Sequence, residues 1–366
     1  MFSVADHDFM ARALRLARRG LFTTTPNPRV GCVIVKDGTV VGEGWHRRAG
    51  EAHAEVYALE AAGTSARDAT AYVTLEPCKH QGRTPPCVDA LIGAGVARVV
   101  AAMRDPDPRV SGGGLAALTA AGIAAQCGLM ETEAAELNAG FVSRILRGRP
   151  WVRLKLAASL DGKTALGNGR SQWITGAAAR RDAHRWRARA CAILSGIGTI
   201  RADDPRLNVR DVATERQPLK VVVDSRLELS PDARVLADGR LLLASAAANG
   251  ANADALRRRG VELLHLPDGA GRVDLAALMA ELGRRGINEL HVEGGCWLNG
   301  ALLRAGLADE LLLYLAPCLI GHAARGLFDW PELESLDGRR RLSIRDLRRV
   351  GDDLRVLARI DPENSR

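Results

Sequence analysis

The pattern that most constrains this chain is His53-Ala54-Glu55, followed by Glu76-Pro77-Cys78 and then Cys87. An imidazole and two thiols so spaced need a strand-and-helix context to meet, and the hydrophobic periodicity supplies one. Residues 5–19 place Phe9, Met10, Ala13, Leu14, Leu16 and Ala17 at helical spacing. A turn-rich stretch, 23–28, precedes Val30-Gly31-Cys32-Val33-Ile34-Val35, which reads as a buried strand. Asp37-Gly38 is a hairpin turn, and residues 40–45 form the partner strand. Helices are expected over 53–62 and 86–93, and strands over 71–74 and 97–102. Hairpin, helix, strand, helix and strand in that order predict helices packed on one central sheet.

One imidazole and two thiolates give zinc three soft ligands and leave a fourth position for water. That is the ligand count of a catalytic site rather than a closed structural one. A metal so held brings the pKa of its water toward neutrality. Glu55, two residues beyond His53 at a helix start, can face the same cavity without ligating. It is placed to take the water's proton and deliver it to a leaving amine, the role of the Glu of H-x-E in zinc deaminases. The competing reading is a packed histidine, two buried cysteines and a surface Glu55. H-x-E alone favours that reading; Pro77-Cys78 and the second cysteine reverse the balance.

The pattern restarts at Arg147-Gly148-Arg149-Pro150, a polar breaker. A chain of 366 residues suits two domains of about 150 residues or more, here 1–146 and 147–366. In the second, strands are expected over 152–157, 192–195, 220–223, 241–244, 289–292 and 310–315. Helices are expected over 177–188, 275–285 and 299–305, a small-residue loop or helix start over 246–253, and a terminal hairpin over 341–357. Four segments stand out: Lys155 to Lys163, a strand running into a turn; Ser171-Gln172-Trp173; Gly196-Ile197-Gly198-Thr199 leading to Asp203 and Leu207; and Glu293-Gly294-Gly295. A glycine pair between strand and helix lets backbone N–H groups approach a pyrophosphate at the helix N-terminus. Gly196-Ile197-Gly198 lacks the full G-x-G-x-x-G spacing and reads as a turn, and no glycine fingerprint opens the domain, which disfavours a standard Rossmann half. On residues alone, Lys155 can be a strand residue facing water, Trp173 plain core, and Arg187 one of a solvated row with Arg180, Arg181, Arg185 and Arg189.

The net charge of +8 admits nucleic acid, membrane surfaces or small phosphorylated substrates. The arginines are spread along the chain, and Arg257-Arg258-Arg259 and Arg339-Arg340-Arg341 read as solvated faces. Aromatic residues make up 4%, few for the stacking platforms of a nucleic-acid binder. No run of about 18 apolar residues occurs, so no transmembrane helix is expected. The seven cysteines are odd in number and scattered, and residues 1–19 lack a basic segment followed by an apolar one. Reduced cysteines in a cytoplasmic protein are therefore expected.

In His53-Ala54-Glu55 and Pro77-Cys78, residues 1–145 resemble the cytidine deaminase superfamily. They depart from its Pro-Cys-x-x-Cys spacing, because Lys79 to Pro86 separate the two cysteines. That longer loop, Thr25-Pro26-Asn27-Pro28-Arg29-Val30-Gly31 and Gly44-Trp45-His46 are similar to the bifunctional riboflavin-biosynthesis deaminase–reductase family. Residues 150 to about 330 resemble that family's reductase domain, with the four segments in matching order. The resemblance implies an α/β protein: an N-terminal cytidine-deaminase-like α/β/α domain, then a dihydrofolate-reductase-like α/β domain. It implies one zinc ion per chain on His53, Cys78 and Cys87, NADPH as hydride donor, and a homo-oligomer. Asn27 and His46 would line the base pocket with His80 nearby, and Arg83 would bind the ribose phosphate. An arginine on a glycine-containing loop suits a phosphate in its own right, although Arg83 can also be a solvated loop residue and Asn27 a rigid turn between prolines. In the reductase, Ala157, Trp173, Thr199, Asp203, Ser225, Gly294 and Gly295 would contact NADPH. Ser171, Arg187, Leu207, Arg210 and Glu293 would contact the substrate, and Lys155 and Glu293 would handle protons.

The reactions so implied are removal of the 2-amino group of 2,5-diamino-6-(5-phosphoribosylamino)pyrimidin-4(3H)-one and NADPH-dependent reduction of the product's ribosyl group to ribityl. Two other readings compete. A nucleic-acid deaminase acting on tRNA, with an accessory domain, would bind RNA in a salt-dependent way; the cysteine loop and the reductase-like segments weigh against it. A zinc-stabilised binding protein would hold zinc without turnover, and such a protein has no need of Glu55.

Overall fold

Residues 1–80, 85–108, 110–250 and 252–361 are described by the structure, a computed structural model. Its contacts divide the chain into two units, Met1–Gly148 and Arg149–Arg366. Among the described residues, no helix is long and apolar enough to cross a membrane.

In the first unit, α1 (Val4–Ala17) begins at Ser3, whose hydroxyl accepts the Asp6 N–H while the Asp6 carboxylate accepts the Ser3 N–H. Strands β1 (Gly31–Lys36) and β2 (Thr39–Trp45) form a hairpin across Asp37 and Gly38, both at positive φ, as a two-residue turn between twisted strands requires. Then follow α2 (Ala54–Ala62), β3 (Thr70–Val73), α3 (Cys87–Ala94), β4 (Arg98–Ala101), α4 (Gly113–Ala120), β5 (Ala124–Cys127), α5 (Glu131–Leu137) and α6 (Ala139–Arg147). The five-stranded sheet runs β2-β1-β3-β4-β5. β1 is antiparallel to both neighbours, while β3, β4 and β5 are parallel.

Helices α1 and α2 lie on opposite faces of this sheet. Gly31 pairs with Trp45 and Cys32 with Gly44, so Gly31 and Gly44 project to opposite sides. A Cβ on Gly31 would stand 2.0 Å from the Ala13 carbonyl oxygen of α1, and one on Gly44 would stand 2.2 Å from the Ala54 carbonyl oxygen of α2. Only glycine lets α2 seat this closely, and α2 carries His53 at its N-cap. Helices α4 to α6 and strand β5 were not expected from periodicity. Residues 113–120 are small and apolar all round, which leaves no amphipathic stripe to read.

The second unit contains β6 (Trp151–Ser159), β7 (Lys163–Ala165), α7 (Ala177–Arg189), β8 (Ala192–Gly196), α8 (Ile197–Asp203), β9 (Leu219–Val223), β10 (Leu241–Ser245) and α9 (Ala253–Arg258). It continues with β11 (Glu262–His265), α10 (Leu275–Arg284), β12 (Glu289–Val292), α11 (Cys296–Arg304), β13 (Glu310–Ala316), β14 (Arg325–Gly326), β15 (Leu342–Val350) and β16 (Asp353–Ile360). Nine strands form one sheet in the order β11-β10-β9-β8-β12-β6-β13-β16-β15. All neighbours from β11 to β13 are parallel, and β16 and β15 add antiparallel. Leu194, Val221 and Leu242 belong to one core cluster, while Ile193, Val222 and Leu243 belong to another. Alternate residues of the same strands are therefore buried on both faces, as expected of a parallel sheet covered by helices.

Three local expectations need correction. Gly196-Ile197-Gly198 is not a free turn but the junction of β8 and α8. The helix expected from residue 299 begins at Cys296, directly after the glycine pair. The terminal hairpin extends to Ile360 and continues the main sheet. The chain runs from β6 outward through β8 to β11, then returns to insert β12 between β8 and β6. That reversal opens a crevice at the carboxyl ends of the strands, where α/β sheets bind ligands.

Candidate active sites

In the first unit, His53 caps α2, Cys87 is the first residue of α3, and Cys78 lies in the segment after β3. The His53 Nδ1 stands 3.1 Å from Cys87 Sγ and 3.6 Å from Cys78 Sγ. Among the described residues these three form the one such cluster, with ligand atoms all within 4.8 Å of one another. Zinc with Zn–S of about 2.3 Å and Zn–N of about 2.0 Å in a tetrahedron needs N···S separations of about 3.6 Å. The donor set and its spacing thus fit a zinc ion. A hydrogen bond from Cys87, together with His53, pushes the Cys78 thiol down to about 4, so this sulfur is an anionic ligand at neutral pH.

Glu55 is buried in the first turn of α2, and burial raises its carboxyl above the usual range. His46 is buried edge-on to His53, with ring centroids 5.4 Å apart. Its Nδ1 is 3.0 Å from the Ala52 carbonyl and its Nε2 is 3.0 Å from Asn27 Nδ2. Nδ1–H therefore donates to the carbonyl and Nε2 accepts from the amide, which fixes one neutral tautomer; burial lowers the ring's pKa in the same sense. Asn27 spends its N–H on His46 and keeps its carbonyl to read a donor. Arg29 of the same motif instead bonds to the Leu137 carbonyl and, through its backbone, to Asn138. His80 is exposed two residues beyond Cys78, and Arg83 lies outside the described residues.

Glu76 had no assigned role in the sequence. It is buried, and its carboxylate accepts the backbone N–H groups of Asp105, Gly112, Gly114 and Leu115 at 2.9–3.3 Å. This anchors Asp105 and residues 112–115 to the segment that presents Cys78. Asp105 in that segment is pushed up to about 6 by burial. No spacing rule announces Glu76, because its partners are main-chain groups about thirty residues away.

In the second unit, a cleft of about 1710 Å3 gathers all the residues assigned to the reductase. Lys155 and Ala157 come from β6, and Glu293, Gly294 and Gly295 from the end of β12. Thr199 and Asp203 lie on α8, Arg187 on α7, and Ser225 follows β9. Ser171, Trp173, Leu207 and Arg210 complete the walls from loops. The volume exceeds that of a single small-ligand pocket, commonly up to about 1,000 Å3, and accommodates two ligands. Gly295 is the N-cap of α11, so its backbone opens the helix toward the cleft.

Arg187 grips Glu293 in a two-point pair, Nε to Oε1 at 2.5 Å and Nη2 to Oε2 at 2.8 Å. Burial opposes the charge on Glu293, but Arg187 prevails and holds its carboxyl well below the usual range. His291, fully buried, stands 3.3 Å from Glu293 Oε1. Lys155 is lowered by burial despite the pull of Glu293. Ser171 Oγ and Gln172 Nε2 lie 3.4 and 3.5 Å from Asp203 Oδ1, and Ser225 Oγ accepts the Val273 N–H. Trp173 is 67% exposed beneath the Arg180 guanidinium and is not core.

Residues 3–103 match the cytidine and deoxycytidylate deaminase zinc-binding region, and residues 150–356 match the RibD C-terminal domain. The riboflavin biosynthesis protein RibD of Escherichia coli K12 is 51% identical over 362 residues, covering 95% of this chain and 98% of that protein. The RibD of Haemophilus influenzae is 46% identical over 374 residues, covering 97% of each. Among solved structures, Acinetobacter baumannii RibD superposes with a TM-score of 0.90 at 42% identity, covering 98% of this chain and 99% of that one. A Thermotoga maritima diaminohydroxyphosphoribosylaminopyrimidine deaminase/5-amino-6-(5-phosphoribosylamino)uracil reductase gives a TM-score of 0.87 at 32% identity, with the same coverage.

Proposed function

This chain belongs to the RibD family of bifunctional riboflavin-biosynthesis deaminase–reductases, and on that premise we propose how its two sites divide the work. The first unit replaces the 2-amino group of 2,5-diamino-6-(5-phosphoribosylamino)pyrimidin-4(3H)-one by oxygen, consuming water and releasing ammonia. The second reduces the ribosyl group of 5-amino-6-(5-phosphoribosylamino)uracil to ribityl.

His53, Cys78 and Cys87 would hold the zinc ion, which would supply Lewis acidity and acidify the attacking water. Glu55 takes the proton from the attacking water and returns it to the departing amine. Its burial beside the ligands supports this, since burial raises the carboxyl and so favours its taking the proton. Asn27 and His46 form the wall that orients the base. Arg83 holds the ribose phosphate.

NADPH supplies the hydride that goes to the sugar C1. Ala157, Trp173, Thr199, Asp203, Ser225 and the Gly294-Gly295 turn hold this cofactor. Ser171, Arg187, Leu207, Arg210 and Glu293 hold the ribosylamino substrate. Lys155, its ammonium disfavoured by burial, delivers the proton that accompanies the hydride, with Glu293 as its charge partner. The proton from Lys155 ends on the ring oxygen of the opening sugar, as the C1–O bond breaks and C1 takes the hydride.

The protein works in the cytoplasm as a homo-oligomer. The sheet edge supports the second point: β15 exposes Ile344 and Leu347 at its rim, an edge of the kind that proteins cover. Light scattering on the purified protein tests it, and a monomer mass at micromolar concentration would overturn it.

The convergence of His53, Cys78 and Cys87 on buried Glu55 carries the deaminase reading. Its test is stoichiometry. Zinc-replete protein given the diaminopyrimidine and excess NADPH should release one ammonia per NADPH consumed. NADPH consumption without ammonia, or neither, would refute the assigned order of reactions.

A further inference from the structure

One buried histidine in the reductase cleft has no part in the chemistry above. His184 lies on α7 one turn before Arg187, is 4% exposed, and lines the cleft. Both of its ring nitrogens are engaged. Nδ1 accepts the backbone N–H of Arg210 at 3.4 Å, and Nε2 stands 3.3 Å from Asp211 Oδ2. An acceptor Nδ1 places the proton on Nε2, the nitrogen that faces the Asp211 carboxylate. The imidazole thus ties the Arg210-Asp211 segment to the helix that carries Arg187.

The charges around it show what this tie does. Arg187 is neutralised by Glu293 and donates through Nη1 to the Asn208 carbonyl. Arg210 has no carboxylate partner among the described residues; its guanidinium bonds to Asn208 Oδ1 at 3.2 Å. Arg210 is lowered first by burial and then by Arg187, and the charges of Asp211 and Glu293 offset this only in part. Asp211, the adjacent residue, acts on Arg210 through its charge without pairing to it, and its carboxylate faces His184 instead. A cleft meant for a phosphate needs a cation that is not already paired.

We propose that His184 is a positioning residue for the reductase substrate: it fixes the Arg210-Asp211 segment and occupies the Asp211 carboxylate, leaving the Arg210 guanidinium free for the substrate's phosphate. This role rests on the reading of Arg210 as a substrate ligand. His184 is not the proton donor of the reaction. Burial first, then Arg187 and Arg210, push its pKa down to about 4 against the opposing pull of Asp211 and Glu293, so the ring is neutral from pH 5.5 to 8. Its one proton is on the nitrogen that faces Asp211.

Two substitutions separate the possibilities. Glutamine can accept through Oε1 and donate through Nε2, so H184Q preserves both contacts; H184F removes both. For reduction of 5-amino-6-(5-phosphoribosylamino)uracil, H184F should raise KM about tenfold, the effect of losing one or two hydrogen bonds that hold a charged group, with kcat within about twofold. H184Q should recover the wild-type KM, with an unchanged pH profile from 5.5 to 8. R210A should raise KM comparably, and adding R210A to H184F should raise it little further, because the two act as a unit. Quenching of tryptophan fluorescence by NADPH in the same preparations reports folding of the second unit. A wild-type KM in H184F, or a fall in kcat for H184Q at unchanged KM, overturns the proposal. Amide hydrogen exchange over residues 206–212 distinguishes this failure from failure of the Arg210 reading. Exchange should be faster in H184F and not in H184Q whatever Arg210 binds. If R210A leaves KM unchanged while exchange responds as stated, the phosphate assignment falls and the tether stands; equal exchange in all three proteins removes the tether itself.

Discussion

On the proposed roles, removal of the Glu55 and Lys155 side chains separates chemistry from binding. Glu55→Gln keeps the size and loses the proton acceptor, so ammonia release should fall by about 10³-fold, within the range for general acid–base groups. Zinc content by atomic absorption should stay at one per chain, since Glu55 is not in the ligand triplet. Lys155→Met should slow NADPH oxidation by about 10²-fold while NADPH still quenches the protein's tryptophan fluorescence. The meeting of His53, Cys78 and Cys87 beside a buried Glu55 was legible in the sequence because zinc and proton transfer each demand particular residue types at short spacing. Lys155 and Glu293 were legible mainly through the family resemblance. Glu76, His184 and Asp211 were not legible at all. Their partners are main-chain N–H groups or side chains 26 to 39 residues away, and no local pattern records such contacts.

The first helix shows how one residue fixes an element. Asp6 completes the cap of α1 and also receives two bonds from Arg98 of β4 and one from the Tyr72 hydroxyl of β3. Arg98 first, then Tyr72 and Ser3, hold its carboxyl well below the usual range, against the cost of burial. Asp6→Asn should destabilise the protein by about 2 kcal/mol at pH 7 in denaturant unfolding followed in the first unit, the scale of lost hydrogen bonds to a charged group. The sign with pH follows from a folded pKa below the unfolded value of about 3.9. The contribution is complete above about pH 5 and is lost as pH falls below 4, so wild type and variant should converge there; a gap that widens in acid would refute this account. Among the elements, the hairpin and most parallel strands were readable, since β-branched and leucine runs bounded by turns have few other uses. Residues 113–147 were not: three short helices and a half-exposed strand offered neither period clearly. The junction at Gly196 was misread because a seven-residue helix gives too few turns to show an amphipathic face.

The chain as a whole holds two catalytic sites in separate units, each with its own core. The restart after Pro150 was visible because it changes the pattern over many residues. The return of β12 to the middle of the nine-stranded sheet was not, since strand order depends on non-local pairing that no window of sequence contains. Yet that return brings Glu293 beside Lys155 in the cleft. Separate sites make a simple demand of the variants. Lys155→Met alone should release ammonia from the diaminopyrimidine without oxidising NADPH. Glu55→Gln alone should do neither, but should oxidise NADPH once the deaminated product is supplied. The decisive experiment mixes the two variants in equal amounts with zinc, NADPH and the diaminopyrimidine, and follows the ribityl product by mass. The mixture should form it, because each protein brings the site the other lacks. If the mixture forms none while both variants are folded and the deaminated product accumulates, or if Glu55→Gln alone converts the starting compound, the assignment of two independent sites to these residues is wrong.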